Sequence, residues 1–346
     1  MTQGFEMQKR FVAITALALF SAAFVAPGCG PKETEKKRIV LCTTFPIYQL
    51  TRNVVGERDG VEVKLLLPGQ LGCPHDYALT PQDMQKLANA EVLVVNGLGM
   101  EEFLGAPVRK ANDKLTIIDS SAGINDTLEF TNDGKRQREH EFEEDAHSFQ
   151  TAAGDDVEPI ARKPDGGHHH HHHGGVNPHP FASPRMAAML VNNIAAKLAK
   201  ADSDGAEIYS QNAQRYAATL NALADEMAAL GTKLKNNRIV QPHGIFDYLA
   251  RDMGLEIIAV MQAHGQEPSA AEMLKLVATI KEKKVGAIFF EPQYPEKVGK
   301  TLSLETGVPA AMLDPAASGP ENAPFDYYET VMRKNMKTLE ATLGTK

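Results

Sequence analysis

The sequence predicts an α/β protein: two parallel-sheet lobes joined by one long rigid helix, with a ligand cleft between the lobes. From residue 38, β-branched and apolar runs alternate with helical patterns, which implies parallel sheets carrying helices on both faces. The alternation breaks near residue 120 and resumes at residue 238, so there are two such units. Between them, residues 204–236 carry a single apolar stripe, enough for a helix roughly 50 Å long.

In the first unit, strands are expected at 39–44, 61–67, 92–95 and 115–118, with helices near 46–56, 81–90 and 100–111. Thr80-Pro81-Gln82-Asp83 is a strong helix start, because Thr80 can cap and proline suits the first helical position. After an insert over 120–176, Ser183-Pro184 opens a helix whose apolar face holds Met186, Met189, Leu190, Ile194 and Leu198. The stripe of the long helix is Tyr209, Ala213, Tyr216, Leu220, Leu223, Met227, Leu230 and Leu234, spaced alternately by four and three. Such spacing also suits a coiled-coil dimer seam. The α/β units on either side favour a helix packed on both lobes of one monomeric chain. In the second unit, strands are expected at 238–241, 255–260, 285–290 and 308–313, and helices near 244–253, 269–283, 295–306 and 324–342. Ser269 and Glu272 form a capping box for one of these helices. The domains are therefore an N-terminal lobe over 39–203, a linking helix over 204–236 and a C-terminal lobe over 237–346.

The chain has 346 residues and a formal net charge of -8, which argues against a nucleic-acid binder with a basic face. At the N-terminus, Lys9 and Arg10 precede an apolar run over 11–25, shorter than the roughly 20 residues that span a bilayer. This reads as a secretory signal peptide over 1–28. Ala26-Pro27-Gly28-Cys29 resembles a bacterial lipoprotein cleavage box with Cys29 as the lipidated residue, although proline is unusual at 27. Residues 29–38 then form a charged tether, and the mature protein is expected outside the cytoplasm, anchored to the membrane by lipid. The alternative is a plain cleaved signal. Cys42 and Cys73 remain as candidates for a disulfide in an oxidising compartment, or as free or buried thiols.

Four positions share one structural address. His75, His243 and Asp314 each follow a strand, and His179 precedes the helix at Ser183. Ligands of parallel α/β sheets gather outside the carboxyl ends of the strands, and two of these residues come from each unit. Three of the four stand in Pro-His pairs, where proline stiffens the approach to the ligand. Three imidazoles and a carboxylate make a closed tetrahedral set for Zn2+. Taken singly, each histidine is as readily an ordinary loop residue. Glu267 is read first as a helix-start carboxylate near Ser269, with orientation of a ligating histidine as the alternative. Nothing beyond proximity supports His264.

The segments Leu67-Pro68-Gly69, Pro74-His75-Asp76-Tyr77, Asn96-Gly97-Leu98-Gly99-Met100-Glu101, Pro178-His179, Glu267-Pro268-Ser269-Ala270, Glu291-Pro292-Gln293 and Leu313-Asp314-Pro315 resemble the zinc/manganese solute-binding family of ABC transporters, zinc-uptake type. The similarity covers nearly the whole chain after residue 38 except the insert. It implies two lobes on one rigid helix, metal ligands His75, His179, His243 and Asp314, and delivery of the ion to an ABC permease and its ATPase subunit. Manganese-type members usually carry Glu where His243 stands, and imidazole suits Zn2+ better than Mn2+. Zn2+ is thus the expected cargo, with Mn2+ or Fe2+ the alternative. Cys73 departs from the family pattern; pairing with Cys42, an inert thiol and contact with the metal are the readings, in that order.

The insert holds an acidic stretch with His140 and His147, then His168, His169, His170, His171, His172 and His173. The resemblance supports a native His-rich loop that collects zinc near the cleft; an engineered tag is the alternative. Two other classes compete with a binding protein. A zinc hydrolase needs an open coordination position and a nearby base, which four protein ligands do not leave, so no enzyme is expected. A surface adhesin is compatible with a lipid anchor, but no partner surface is marked.

Overall fold

The structure, a computed structural model, describes residues 37–72, 74, 77–129, 175–262 and 267–346. The expected signal peptide, Cys29 and its tether, Cys73, His75, His140, His147, the six histidines at 168–173 and His264 lie outside the described residues.

The first sheet is built from β1 (Arg38–Cys42), β2 (Val61–Leu65), β3 (Val92–Val95) and β4 (Thr116–Asp119), all parallel, in the order β2-β1-β3-β4. The second has β5 (Arg238–Gln241), β6 (Glu256–Val260), β7 (Ala287–Phe290) and β8 (Ala310–Met312), in the equivalent order β6-β5-β7-β8. Helices α1 (Phe45–Val55), α2 (Pro81–Asn89) and α3 (Gly105–Ala111) connect the first set. Helices α4 (Pro184–Ala201) and α5 (Ala206–Lys233) follow, then α6 (Asp247–Met253), α7 (Ala270–Glu282), α8 (Lys297–Thr306) and α9 (Tyr327–Leu343).

Strand alternation explains why both sheets read as continuous apolar runs. Val40, Cys42, Val92 and Val94 point into a central core, while Leu41, Leu93 and Val95 point into an outer core with Leu87 of α2 and Val108 of α3. In the second sheet Ile239, Ala287 and Phe289 face the central core, and Val240, Ile288 and Phe290 face another outer core with Ile280 and Leu302. Strands covered on both faces lose the polar alternation of half-exposed sheets.

The central core includes residues of both sheets together with the apolar stripe of α5, from Tyr209 to Leu230. The stripe is therefore covered within the chain itself, as expected of a helix shared by two lobes rather than a dimer seam. Gly231 lets α5 approach α6: a Cβ there would lie 1.9 Å from the Met253 carbonyl oxygen. Helix starts agree with the sequence. Thr80 and Asp83 form a reciprocal capping box on α2, and Ser269 and Glu272 form another on α7. Residues 37–346 form one compact unit. Among the described residues no helix is long and apolar enough to cross a membrane.

A strap over 315–326 leaves β8 and crosses to α1. There the Tyr48 hydroxyl donates to the Glu321 carbonyl at 2.9 Å, and Arg52 donates to the Ala323 carbonyl at 2.7 Å. The Gly319 amide donates to the Gly69 carbonyl beyond β2 at 2.8 Å. The loops that leave the carboxyl ends of the two sheets thus meet, and His243 and Asp314 lie on such loops.

Candidate metal centre

His179 is wholly buried and stands just ahead of the short 3-10 turn Pro180–Ala182 that leads into α4. Its ring Nδ1 lies 2.8 Å from Asn177 Oδ1, which also accepts the His179 backbone N–H at 3.0 Å. Asn177 in turn donates both amide hydrogens, to the Gly244 carbonyl at 2.7 Å and to Asp247 Oδ2 at 2.9 Å. Asp247 Oδ1 accepts from Gln241 Nε2 at 2.7 Å, and Gln241 Oε1 accepts the Phe246 N–H at 3.0 Å. Every member of this chain has its role fixed by the next. Asn177 Oδ1 can only accept, so His179 Nδ1 carries the hydrogen and Nε2 carries the lone pair. A metal-ligating imidazole needs that tautomer.

His243 follows β5 and Pro242, and its Nδ1 lies 3.0 Å from Oε1 of Glu291, which follows β7. Both are buried, Glu291 with 1% of its surface exposed. The contact is within ion-pair distance but lacks hydrogen-bond geometry, so it does not fix which ring nitrogen of His243 carries the hydrogen. The His179 and His243 rings stand edge to face with centroids 5.2 Å apart. Tyr294 packs against the far side of His243 at 5.9 Å.

Asp314 follows β8 and Leu313. Its backbone is clamped by Asn335 of α9, which accepts the Asp314 N–H at 3.0 Å and donates to its carbonyl at 2.6 Å. Its Oδ1 accepts the Ala316 N–H at 2.9 Å. Burial raises the Asp314 carboxyl above its ordinary range, although the Ala316 N–H and Lys334 act the other way, and the negative charge of Glu291 adds to the rise. Glu291 is buried and Asp314 half-buried, and Asp314 feels the charge of Glu291, so a cation near the two would relieve the cost of burying them. The structure brings His179 and His243 together. Among the described residues no three His, Cys, Asp or Glu form a group that could hold an ion, so Asp314 does not complete one with the pair.

Asn96 supports His179 from the other side by donating to the Pro178 carbonyl at 3.0 Å. Its backbone N–H and that of Gly97 are held by Glu101, which also accepts from the Thr43 hydroxyl at 2.6 Å. Burial pushes the Glu101 carboxyl up to about 7 in spite of these donors.

Cys42, the last residue of β1, is wholly buried in the central core, where burial pushes its pKa up to about 12, and its expected partner Cys73 lies outside the described residues. Glu267 is exposed just ahead of α7, in keeping with its first reading as a helix-start carboxylate. The carboxylate that lies against a candidate histidine is Glu291, which sequence reasoning passed over although it stands in the Glu291-Pro292-Gln293 segment. Asn177, Gln241 and Asp247 were also missed. Asn177 and Gln241 each precede a Pro-His pair, the only local signal they give.

A pair of buried imidazoles, one with its lone pair fixed, seated between two lobes that share one helix, is what a cation-carrying solute-binding protein needs and defines this chain as one of that class. The family model described as "Zinc-uptake complex component A periplasmic" (ZnuA) matches residues 40–342, and the chain belongs to that family. It is 29% identical over 341 residues to the high-affinity zinc uptake system protein ZnuA of Bacillus subtilis, covering 97% of each chain. It is 28% identical over 329 residues to the zinc-binding lipoprotein AdcA of Streptococcus pneumoniae, covering 94% of this chain but only 60% of AdcA's own length. The solute-binding protein FpvC of Pseudomonas aeruginosa, solved in complex with Mn2+, superposes with a TM-score of 0.68 at 27% identity, over 89% of this chain and 98% of FpvC.

Proposed function

We propose that the chain captures Zn2+ outside the cytoplasm and delivers it to the permease of an ABC importer driven by its ATPase subunit, with His75, His179, His243 and Asp314 as ligands. The observation that carries this reading is the pair of buried imidazoles of His179 and His243, with ring centroids 5.2 Å apart: His179 Nδ1 is held by Asn177 Oδ1, which leaves its Nε2 to donate to a metal, and His243 lies 3.0 Å from the buried carboxylate of Glu291. Zinc fits this pair better than manganese, since imidazole is a borderline ligand and Mn2+ prefers oxygen. The two streptococcal and bacillar relatives carry zinc in their names, and AdcA is named a lipoprotein, which supports extracytoplasmic zinc capture on a lipid anchor at Cys29. Manganese is the second reading, favoured by the Mn2+ complex of FpvC. Membership in a solute-binding family also speaks for a carrier rather than a zinc hydrolase.

Competitive calorimetry on the mature chain tests the proposal. The expected outcome is one tight Zn2+ site, poorly matched by Mn2+ and weakened at least about 100-fold in His243→Ala, in line with loss of a metal ligand or its partner. Equal or stronger Mn2+ binding would move the assignment to manganese uptake. A tight site that survives His243→Ala would reject the ligand set.

A further inference from the structure

We propose that Gln293 is a positioning residue that latches the Asp314-bearing strap to the loop leading to His75, and so sets the rate at which the ion leaves. The inference rests on the ligand reading above. Gln293 lies two residues beyond Glu291, the partner of His243, and its Nε2 donates to the Ser318 hydroxyl at 2.5 Å. Ser318 stands four residues beyond Asp314, next to Gly319. On its other side the Gln293 side chain packs against Gly72, where an added Cβ would lie 3.1 Å from Gln293 Cγ. Gly72 belongs to the loop that runs on to His75. One amide side chain therefore touches the loops of two of the four proposed ligands and stands on the loop of Glu291, which lies against a third.

The backbone beneath it is built for the same contact. A Cβ at Gly69 would come within 2.4 Å of the Gly319 carbonyl oxygen, and one at Gly319 within 2.3 Å of the Phe45 ring. Only glycine at both positions lets the two loops close on each other. The closed latch is also poised to open. Gln293 Oε1 is buried and has no hydrogen-bond partner. An orphan acceptor penalises the closed state and regains water once the strap lifts. The hydrogen bond to Ser318 and the packing on Gly72 hold the latch shut, while the unpaired oxygen keeps the balance shallow. A carrier that must both retain its cargo and surrender it on docking needs such a balance.

Stopped-flow release of Zn2+ from the full mature chain into a chromogenic chelator tests this, with Ser318→Ala, Gln293→Ala and the double variant. Both single variants are expected to release Zn2+ roughly five-fold faster, the factor one net hydrogen bond represents. The double variant is expected to release no faster than the quicker single one, because both remove the same contact. Association rates and metal-free thermal midpoints are expected to stay at wild-type values, which a purely structural role would not allow. Unchanged release from both single variants, additive effects in the double, or a metal-free midpoint lowered in step with the faster release would overturn the latch alone. Absence of tight Zn2+ binding in the unsubstituted chain would overturn the ligand reading and the latch with it.

Discussion

Glu101 holds two backbone amides and the Thr43 hydroxyl, and burial still lifts its carboxyl from an ordinary 4.5 to about 7. The folded chain therefore binds a proton there that the unfolded chain has already lost across this window. Stability from this group is present in full below pH 4.5 and is lost as pH rises towards and through 7, by about 3 kcal/mol in total. Glu101→Gln has no charge to bury, so the difference in denaturant stability between variant and wild type is expected to shift in favour of the variant from pH 4.5 to pH 8. Parallel pH profiles for the two proteins would refute the assignment. At this scale the histidines were legible and their partners were not. A Pro-His pair at a strand end announces a stiff, exposed ligand position. That Asn177 would meet Asp247 depends on a contact between lobes, and that His243 would lie against Glu291 on two strands of one sheet coming together, neither of which spacing along the chain encodes. The burial of Cys42 was left open for the same reason: the inward direction of its side chain at the end of β1 emerges only once both faces of the sheet are covered.

The elements themselves were nearly all readable, because hydrophobic period and capping chemistry are local. Boundaries moved where tertiary hydrogen bonds took over. Leu66 and Leu67 fall outside β2 although their N–H groups still donate to the Cys42 and Thr43 carbonyls at 2.8 and 3.2 Å. The expected helix at 100–111 begins as a 3-10 turn over Glu102–Leu104 and becomes α-helical only at Gly105. For α5 the stripe gave the helix but not its neighbours, since a seam spaced by three and four looks the same whether a second chain or the same chain covers it. Leu220, at the middle of that stripe and fully buried, tests the intramolecular answer. Leu220→Ala is expected to cost about 2–5 kcal/mol in urea denaturation, and the loss is expected to be independent of protein concentration. A loss that grew on dilution would point to a dimer seam.

For the whole molecule, the shared core limits how the lobes move. α5 places its stripe in the core that both sheets use, so a wide hinge would have to tear apolar surface from one sheet or the other. Binding is then expected to tighten loops and leave the lobes where they are. Zn2+ at about 100 times its dissociation constant is expected to add about 2.7 kcal/mol to unfolding stability, while the radius of gyration in solution scattering stays constant. A clear contraction on adding Zn2+ would contradict this.

The position of Asn177 has one more consequence, in the chemistry of ageing. Asparagine side chains deamidate when the next residue's backbone nitrogen attacks the side-chain carbonyl, and that attack requires an N–H. The next residue here is Pro178, whose nitrogen carries none. Conversion to aspartate would replace the amide that donates to both Gly244 and Asp247 with a second carboxylate facing Asp247, and the His179 tautomer would no longer be dictated. The proline that stiffens the approach to His179 thus also shields the hub of the site from the slow hydrolysis that accumulates in long-lived proteins.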